Sequence, residues 1–342
     1  MYELIIVGSG PAGLAGALSA KNLGLHYLVL EGGSIANTIK GFPTERLLFS
    51  TAEEVELERG ALRPGARPTR EEVLNHYRGL AVKEKINIRT GETVERVSRT
   101  SDGFVVETAV ASHHTGAVLL AIGGFGRPRR LGVPGETASL VSYTFVEAQP
   151  YAGKRVLVVG GGNSAAEAAI ALAEVGARVA LSLRRHSLRS SDAGSKATTP
   201  RNGIRSPIKP WVLEPLEAAI STGRVKLISG SRVANVRPGS AILHVAGTES
   251  DVEVECDQIF ALIGADPDTR LLEEAGAEIA ADGRPIYDDQ SYETTVAGLY
   301  VAGHITRDLH MKNAGPVSRR VVEHIATGVL KTRTERQICP AL

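Results

Sequence analysis

The sequence YELIIVGSGPAGLAGALSAKNLGLHYLVLEGG, residues 2–33, decides the fold class of this chain. The apolar run over residues 2–7 is short enough for a buried parallel strand, and a glycine turn, a helix and a second apolar run follow it. In the turn, Gly8 permits the sharp reversal, Gly10 lets a pyrophosphate touch the backbone, and Gly13 lets the helix pack closely on the strand. The stretch therefore predicts a dinucleotide-binding βαβ unit.

An acidic residue, Glu31, ends the second predicted strand, where its carboxylate can accept hydrogen bonds from ribose hydroxyls. The helix after the turn directs its free N–H groups and the positive end of its dipole at the phosphates. Alone, the three glycines could form a glycine-rich structural turn, but the strand, helix and acid together favour nucleotide binding. FAD is the usual occupant of an N-terminal site that ends in glutamate. The residues of this segment expected to bind FAD are Gly8, Gly10, Pro11, Ala12, Gly13, Glu31 and Gly32.

A second unit of the same kind begins at residue 153 with GKRVLVVGGGNSAAEAAIALAEVGARVALSLRRHSLR. Its second strand continues into Arg184 and Arg185, with Arg189 shortly after, where the first unit has its glutamate. A guanidinium can bind a 2′-phosphate with two hydrogen bonds, whereas a carboxylate would repel it. This segment therefore predicts an NADPH site, although three arginines could also belong to a solvated loop. The residues expected to bind NADPH are Gly160, Gly162, Asn163, Ser164, Ala165, Glu167, Arg184, Arg185 and Arg189.

The two units predict an α/β fold with two Rossmann-like dinucleotide-binding domains, one nested in the other. The FAD domain is expected over residues 1–142 and 265–342, and the NADPH domain over residues 143–264. Residues 184–210 are rich in Ser, Thr, Gly and basic residues, which favours a long loop at the mouth of the NADPH site. Its cations could guide an acidic partner protein or could simply be solvated. Two different dinucleotides in one chain indicate hydride transfer from one to the other.

The composition restricts the remaining function classes. The 342 residues carry a net charge of +1, so general binding to nucleic acid or a membrane surface is not expected. No apolar run reaches the length of a membrane span, and the first residues already form a predicted strand, which leaves no room for a signal peptide. The two cysteines, Cys256 and Cys339, provide no disulfide framework and suit a reducing cytoplasm.

Several stretches resemble the thioredoxin-reductase-like flavoproteins that bind two dinucleotides: VLLAIGGFGRPRRLGVPGE (118–136), TTVAGLYVAGHI (294–305) and the arginine pattern LRRHSLR (183–189). A narrower similarity covers nearly the whole chain. EGGSIANTIKGFPTERLLFST (31–51), RPTREEVLNHYRGLA (67–81) and SPIKPWVLEPLEAAI (206–220) are similar to the YpdA-type bacillithiol disulfide reductases. Nucleotide binding does not require motifs such as FPT or IKPW, so these stretches are more specific than the glycine turns.

The resemblance implies FAD, NADPH and a homodimer. The further FAD-binding residues that it implies are Asn37, Phe49, Ser50, Val94, Gly123, Gly303 and His304. His304 stands where related flavoproteins usually have an aspartate that bonds the ribityl chain; it could donate the same bond or be a plain polar contact. Two departures are visible. Members often carry a cysteine inside the first glycine turn, where this chain has Ala12, and the segment HMKNAGPVSRRVVEHIA (310–326) matches poorly.

The path by which electrons leave is constrained by the cysteines. A thioredoxin reductase needs a C-x-x-C pair beside the flavin, and this sequence has none. Cys256 lies in phase with Val252 and Val254, which predicts a small core residue, and Cys339 lies close to the C-terminus. Electrons are therefore expected to pass directly from the flavin to the acceptor, unless the tail thiol acts in a partner subunit. No catalytic residue is assigned.

Two further features concern the electrostatics of the site. A helix is predicted from Asn313, with Pro316 in its first turn, and its N-terminus is expected to face the pyrimidine edge of the flavin. His113 and His114 are adjacent on a predicted strand, so their side chains should diverge, and no metal site is expected.

The function predicted from these features is NADPH-dependent, FAD-containing reduction of a low-molecular-weight disulfide in the cytoplasm. The partner is expected to be a small-molecule disulfide or a small redox protein. A ferredoxin- or flavodoxin-NADP reductase is an alternative. Such enzymes often stack a C-terminal aromatic ring on the flavin. The tail after Ile305 contains no Phe, Tyr or Trp, which leaves His310 as the ring that could stack. A nucleotide-binding redox sensor without turnover is the alternative from another class.

Overall fold

A computed structural model describes residues 1–189, 208–308 and 310–338, with side chains up to residue 329. The predicted loop therefore lies mostly outside the described residues, as does Cys339. The strands among the described residues are, in chain order, β1 Tyr2–Val7, β2 Tyr27–Glu31, β3 Ile88–Thr90, β4 Val94–Thr100, β5 Gly103–Thr108, β6 Ser112–Leu120, β7 Arg127–Pro128, β8 Val141–Ser142, β9 Arg155–Val159, β10 Arg178–Leu183, β11 Val225–Ser229, β12 Ser231–Arg237, β13 Ser240–Val245, β14 Val252–Glu255, β15 Gln258–Ala261, β16 Ala265–Asp266 and β17 Leu299–Val301. The α-helices are α1 Pro11–Asn22, α2 Asn37–Lys40, α3 Ala52–Val55, α4 Arg70–Lys83, α5 Asn163–Glu174, α6 Pro210–Ser221, α7 Arg270–Glu274 and α8 Met311–Ile338.

The chain forms two compact units, the first of Met1–Arg127 and Asp266–Leu342 and the second of Pro128–Ala265. The second unit is inserted in the first, and its C-terminal limit lies one residue beyond the predicted residue 264. Its N-terminal limit lies well before the predicted residue 143. The reason is that residues 128–142 pack on the second unit: strand β8 pairs with β15, and Ile259 donates a backbone hydrogen bond to Leu140.

The sheet of the first unit has the order β3-β2-β1-β6-β5-β4, and β17 pairs with the C-terminal half of β6. Strands β3, β2, β1, β6 and β17 are parallel, so the predicted strand–turn–helix–strand over residues 2–31 is confirmed. Residues of β1 alternate between two cores: Leu4 and Ile6 face the cluster that includes helices α1 and α8, and Ile5 faces the opposite cluster. Both faces are covered, as in parallel sheets generally.

Helices α1 and α8 pack against each other through a small residue. A methyl group added at Gly16 would lie 2.8 Å from the Ser318 hydroxyl and 3.2 Å from the Leu119 side chain, so glycine lets the two helices approach without displacing these side chains. Helix α8 begins at Met311 rather than at Asn313, and Pro316 lies inside it. The sequence pattern of this helix puts apolar residues at Val322, Ile325 and Val329; the first two are buried and Val329 is half-buried.

The second unit has a parallel sheet with the order β11-β10-β9-β15-β8 and a three-stranded antiparallel sheet, β12-β13-β14. The strand predicted over residues 155–159 is β9, and β10 follows helix α5 as expected. Cys256, which directly follows β14, is fully buried in the core of this unit, which confirms its prediction as a core residue, although Val252 of β14 is exposed. No helix in the described part of the chain is long and apolar enough to cross a membrane.

Candidate dinucleotide sites

Four parallel strands of the first unit end side by side. The register pairs Val7 of β1 with Leu30 of β2 and with Leu120 of β6, which in turn pairs with Val301 of β17. The segments that follow these strands therefore lie along one edge of the sheet. In open α/β sheets, ligands bind at this carboxyl edge. The structure thus brings the first glycine turn to the same edge as Glu31, Gly123 and Gly303, which are far apart in sequence.

The three glycines of the first turn differ in what surrounds them. Gly8 has φ +99, and a methyl group added there would lie 2.5 Å from the carbonyl oxygen of Ala121. A methyl group added at Gly13 would overlap the carbonyl oxygen of Gly8. At Gly10, nothing lies within 4 Å of the added atom. The packing fixes the backbone on both sides of Gly10 and leaves open space where a pyrophosphate would approach, which fits FAD.

The carboxylate of Glu31 is held at the end of β2 by two backbone N–H groups and one hydroxyl. One oxygen accepts hydrogen bonds from the N–H and the hydroxyl of Ser9, each at 2.8 Å, and the other accepts from the N–H of Gly33 at 2.8 Å. The oxygen bonded to Gly33 can accept a further hydrogen bond. Glu31 therefore ties β2 to the glycine turn and keeps acceptor capacity suited to ribose hydroxyls.

His304 lies in a tight turn beside the same edge. Gly303, with φ +76, brings this turn against helix α1, since a methyl group added at Gly303 would lie 2.9 Å from the Ala12 side chain. A methyl group added at Gly124 would lie 2.5 Å from Nδ1 of His304. The Phe125 ring, 52% exposed, stacks on the imidazole with 4.8 Å between centroids and 11° between planes. The imidazole is therefore confined by Gly124 and Phe125.

Arg284 is a residue of this region that sequence reasoning missed. Its guanidinium donates hydrogen bonds to three consecutive carbonyl oxygens, those of His304 at 3.0 Å, Ile305 at 3.2 Å and Thr306. These bonds hold the turn that carries His304. The sequence gives no signal for this role, because the arginine lies in an ordinary loop and its partners are twenty or more residues away.

The other residues that the family resemblance implies for FAD binding lie within the first unit, at or near α2, α3 and β4. Val94 is buried at the start of β4, and the preceding Thr93 hydroxyl would be 2.7 Å from a methyl group at Gly32. Asn37 begins α2, and its side-chain oxygen accepts a hydrogen bond from the Ser34 hydroxyl at 3.3 Å. Phe49 and Ser50 lie between α2 and α3. The centroid of the Phe49 ring lies 5.1 Å from the guanidinium carbon of Arg46, and Ser50 precedes Thr51, the N-cap of α3.

The second glycine turn follows the same design within the second unit. Gly160 has φ +151, and a methyl group there would lie 2.9 Å from the buried side chain of Ala165. At Gly162, directly before α5, nothing lies within 4 Å of an added methyl group. Ser164, in the first turn of α5, is exposed, and Glu167 is half-buried. The turn thus has the packing of a dinucleotide turn and leaves the approach to the helix N-terminus open.

The three arginines after β10 are in different environments. Arg184 is exposed. Arg185 is only 9% exposed and donates a hydrogen bond to the carbonyl oxygen of Gly161 at 2.6 Å. Arg189 forms two hydrogen bonds with the carboxylate of Glu217 on α6, at 2.7 and 2.5 Å, and this carboxylate raises the pKa of Arg189. The sequence predicts the same role for all three arginines. In the structure, Arg185 instead stabilises the glycine turn through its hydrogen bond to Gly161.

The described thiol is not placed for redox chemistry. Burial raises the pKa of Cys256 to about 11, so it is protonated at neutral pH. The two adjacent histidines diverge as predicted: His113 is buried and bonds Glu92 at 3.0 Å, whereas His114 is exposed. No group of three or more potential metal ligands occurs within the described residues.

Two nested units, each with a dinucleotide turn at the carboxyl edge of a parallel sheet, define a flavoprotein of the two-dinucleotide class. The chain belongs to the pyridine nucleotide-disulphide oxidoreductase family, whose sequence profile matches residues 5–303. It is an FAD-dependent oxidoreductase that uses NADPH, which confirms the predicted cofactors and fold class.

Similar proteins agree with this assignment. Bacilliredoxin reductase Bdr of Bacillus subtilis (strain 168) is 33% identical over 306 residues, 89% of each chain. A ferredoxin–NADP reductase of Ignicoccus hospitalis is 29% identical over 336 residues, which cover 96% of this chain and 95% of the relative. Among solved structures, bacillithiol disulfide reductase Bdr (YpdA) from Bacillus cereus has a TM-score of 0.84 and 29% identity, covering 95% of this chain and 99% of that one. The Staphylococcus aureus protein of the same name has a TM-score of 0.85 at 25% identity, covering 96% and 98%. The predicted resemblance to YpdA-type reductases is confirmed.

Proposed function

We propose that this enzyme uses NADPH to reduce the disulfide of a low-molecular-weight thiol of the bacillithiol type. The observation that carries this proposal is the similarity, over nearly the whole chain, to proteins named for bacillithiol disulfide or bacilliredoxin reduction. Both names describe the reduction of a disulfide, in a small molecule or in a small redox protein. The small-molecule disulfide is the substrate proposed here, and the redox protein is the alternative partner.

The first unit provides the proposed FAD site. When bound, FAD accepts a hydride from NADPH and passes an electron pair to the acceptor. The open backbone at Gly10 and the N-terminus of α1 would bind the pyrophosphate, and Glu31 would accept hydrogen bonds from the ribose. Arg284 would hold the backbone turn that carries His304. The imidazole of His304 would donate a hydrogen bond to the ribityl chain or form a plain polar contact.

The second unit provides the proposed NADPH site. Gly162 and the N-terminus of α5 would bind the pyrophosphate. Arg184, exposed at the end of β10, would pair with the 2′-phosphate, and Arg189 would join it by releasing or sharing Glu217. Arg185 would keep the turn in shape through its bond to Gly161.

The proposed exit of the electrons uses no protein dithiol. Cys256 and Cys339 are far apart in sequence, and Cys256 is buried with a raised pKa. The substrate disulfide would therefore meet the flavin face directly. A chain with two cysteines and no disulfide framework in its sequence suits a reducing cytoplasm, and we propose a homodimer in that compartment.

The test is NADPH oxidation with a panel of acceptors: bacillithiol disulfide, an oxidised bacilliredoxin, oxidised glutathione, ferredoxin, flavodoxin and a quinone. Bacillithiol disulfide should give the highest kcat/KM. A panel in which ferredoxin or flavodoxin is strongly preferred would contradict the proposal, and so would the absence of NADPH oxidation with bacillithiol disulfide. Light scattering of the purified protein would test the dimer.

Ferredoxin reduction is a second candidate because an aromatic ring does lie beside the site. The exposed Phe125 ring stacked on His304 is the kind of aromatic contact that the C-terminal tail lacks. The similarity to the Ignicoccus hospitalis ferredoxin–NADP reductase also extends over the chain. The F125L variant, assayed with the same acceptors, would distinguish the two candidate functions. A loss of activity with ferredoxin but not with bacillithiol disulfide would favour ferredoxin reduction.

A further inference from the structure

The motif IKPW, residues 208–211, is not required by a dinucleotide turn, yet the structure places it against the second one. Ile208 is buried, and Pro210 is the first residue of α6. The backbone N–H of Lys209 donates a hydrogen bond of 2.8 Å to the side-chain oxygen of Asn163, the first residue of α5. The motif therefore fixes the start of α6 beside the N-terminus of α5, where the NADPH pyrophosphate is proposed to bind.

The side chain of Lys209 is held by a neighbouring ring. Its ammonium lies 5.8 Å from the ring centroid of Trp211, a distance at which a cation is attracted by the aromatic face. Lys209 is half-buried, and Trp211 is 42% exposed. The ring thus keeps a partly desolvated cation at the start of α6.

Positive charge is concentrated around this turn. The N-terminus of α5 carries the positive end of the helix dipole, Arg185 donates to Gly161 inside the turn, and the backbone N–H of Lys209 bonds Asn163, which brings this lysine to the start of the helix. The N-terminus of a helix favours a bound anion, and cations near it add to that preference. The arrangement therefore fits a ligand with two adjacent phosphates.

We propose that Lys209 binds the pyrophosphate of NADPH and that Trp211 guides its side chain. This inference rests on the proposed NADPH site in the second unit. The pyrophosphate is common to NADPH and NADH, so Lys209 would add affinity for both without discriminating between them. In this respect it would differ from Arg184, whose partner is the 2′-phosphate. Trp211 is the sole tryptophan of the chain, so its fluorescence would report the movement of the ammonium away from the ring.

The test uses the FAD-loaded enzyme and ADP-ribose, which has the pyrophosphate but neither the 2′-phosphate nor the nicotinamide. Calorimetry should show ADP-ribose binding to the wild type, accompanied by a change in Trp211 emission. K209M should weaken binding by roughly 10- to 100-fold, the effect of losing a charge-assisted contact. K209M should also raise KM for NADPH and NADH by the same factor. K209R should keep most of the affinity.

The matched control is K226M, which removes an exposed lysine at the start of β11, the opposite edge of the sheet from the glycine turn. It should bind ADP-ribose like the wild type. Unchanged ADP-ribose affinity in folded K209M, or in K209Q if the methionine variant does not fold, would overturn the role of Lys209 alone. Failure of the wild type to bind ADP-ribose would overturn the proposed NADPH site as well.

Discussion

The Cβ position of Gly124 shows how tightly single residues are fitted around His304. A methyl group added there would lie 2.5 Å from Nδ1 and 2.7 Å from the backbone oxygen of His304. Overpacking of this kind typically costs about 1–3 kcal/mol, and the imidazole, stacked on Phe125, would have to move. G124A should therefore be purified with less FAD than the wild type, measured as the ratio of absorbance at the flavin band to that of the protein.

The control for this variant is G79A. Nothing lies within 4 Å of a methyl group added at Gly79, which is inside helix α4, so FAD content should stay at the wild-type level. Alanine also has the higher helix propensity at this position. A G124A protein with full FAD content would show that His304 is not a constraint on flavin binding.

The arginines after β10 give a prediction that separates a residue that selects NADPH over NADH from a residue that holds the glycine turn in shape. R184Q should raise KM for NADPH by roughly 10- to 100-fold and change KM for NADH little, because only NADPH offers a 2′-phosphate. R185Q should raise both constants together, because it removes the bond to Gly161 that shapes the turn. Steady-state oxidation of the two cofactors measures both effects. Equal effects of R184Q on both cofactors would mean that Arg184 belongs to a solvated loop.

At the level of elements, a histidine connects α4 to the segment before it. Nε2 of His76 accepts a hydrogen bond from the N–H of Leu57 at 3.0 Å, and the carbonyl of Leu57 accepts one from Arg319 of α8 at 3.2 Å. Burial lowers the pKa of His76, although Glu56 and Glu58 oppose this shift. The neutral ring is therefore the form that the folded protein needs.

The sign of the pH effect follows from this lowered pKa. The stabilisation is present above the unfolded pKa of about 6.5 and is lost as pH falls through the lower pKa of the folded state. H76Q should therefore lose less stability than the wild type between pH 7.5 and pH 5, measured by thermal unfolding. H114Q, which changes the exposed histidine of β6, should keep the wild-type pH dependence. The same pH dependence in H76Q and wild type would contradict this role.

The elements that the sequence predicts best are those specified by adjacent residues. Strand β1 matches the prediction because an apolar run and a glycine turn are local signals. The start of α8 differs because Asp308 accepts hydrogen bonds from the N–H of His310 and the side chain of Asn313, which allows the helix to begin earlier. The pairing of β8 with β15 and the bonds of Arg284 join distant parts of the chain, and no local pattern signals them.

For the whole molecule, the sequence was sufficient to predict two dinucleotide-binding sites, but its motifs do not identify the electron acceptor. Dinucleotide turns require particular residues at fixed spacing, since backbone must approach phosphates, and Gly10 and Gly162 both have the open space that this requires. A disulfide that meets a flavin face requires no comparable motif. The acceptor proposed here therefore rests on similarity over the chain, and the cysteines supply the independent test.

The last prediction concerns both cysteines together. Cys256 is buried, with a pKa of about 11, and it has no neighbouring cysteine in the sequence. If electrons pass from the flavin directly to the substrate, the C256A/C339A variant should keep NADPH-driven turnover within a few fold of the wild type. It should also lose some stability, of the order of 1 kcal/mol, because a core side chain is truncated.

Anaerobic titration of the same variant gives a second, independent measurement. With no protein disulfide to reduce, wild type and variant should both take up two electrons per FAD. C339A alone separates the tail thiol from the core, since it leaves Cys256 and its packing intact. If the folded double variant were inactive, or if the wild type took up four electrons per chain, a thiol would take part and the direct route would be wrong.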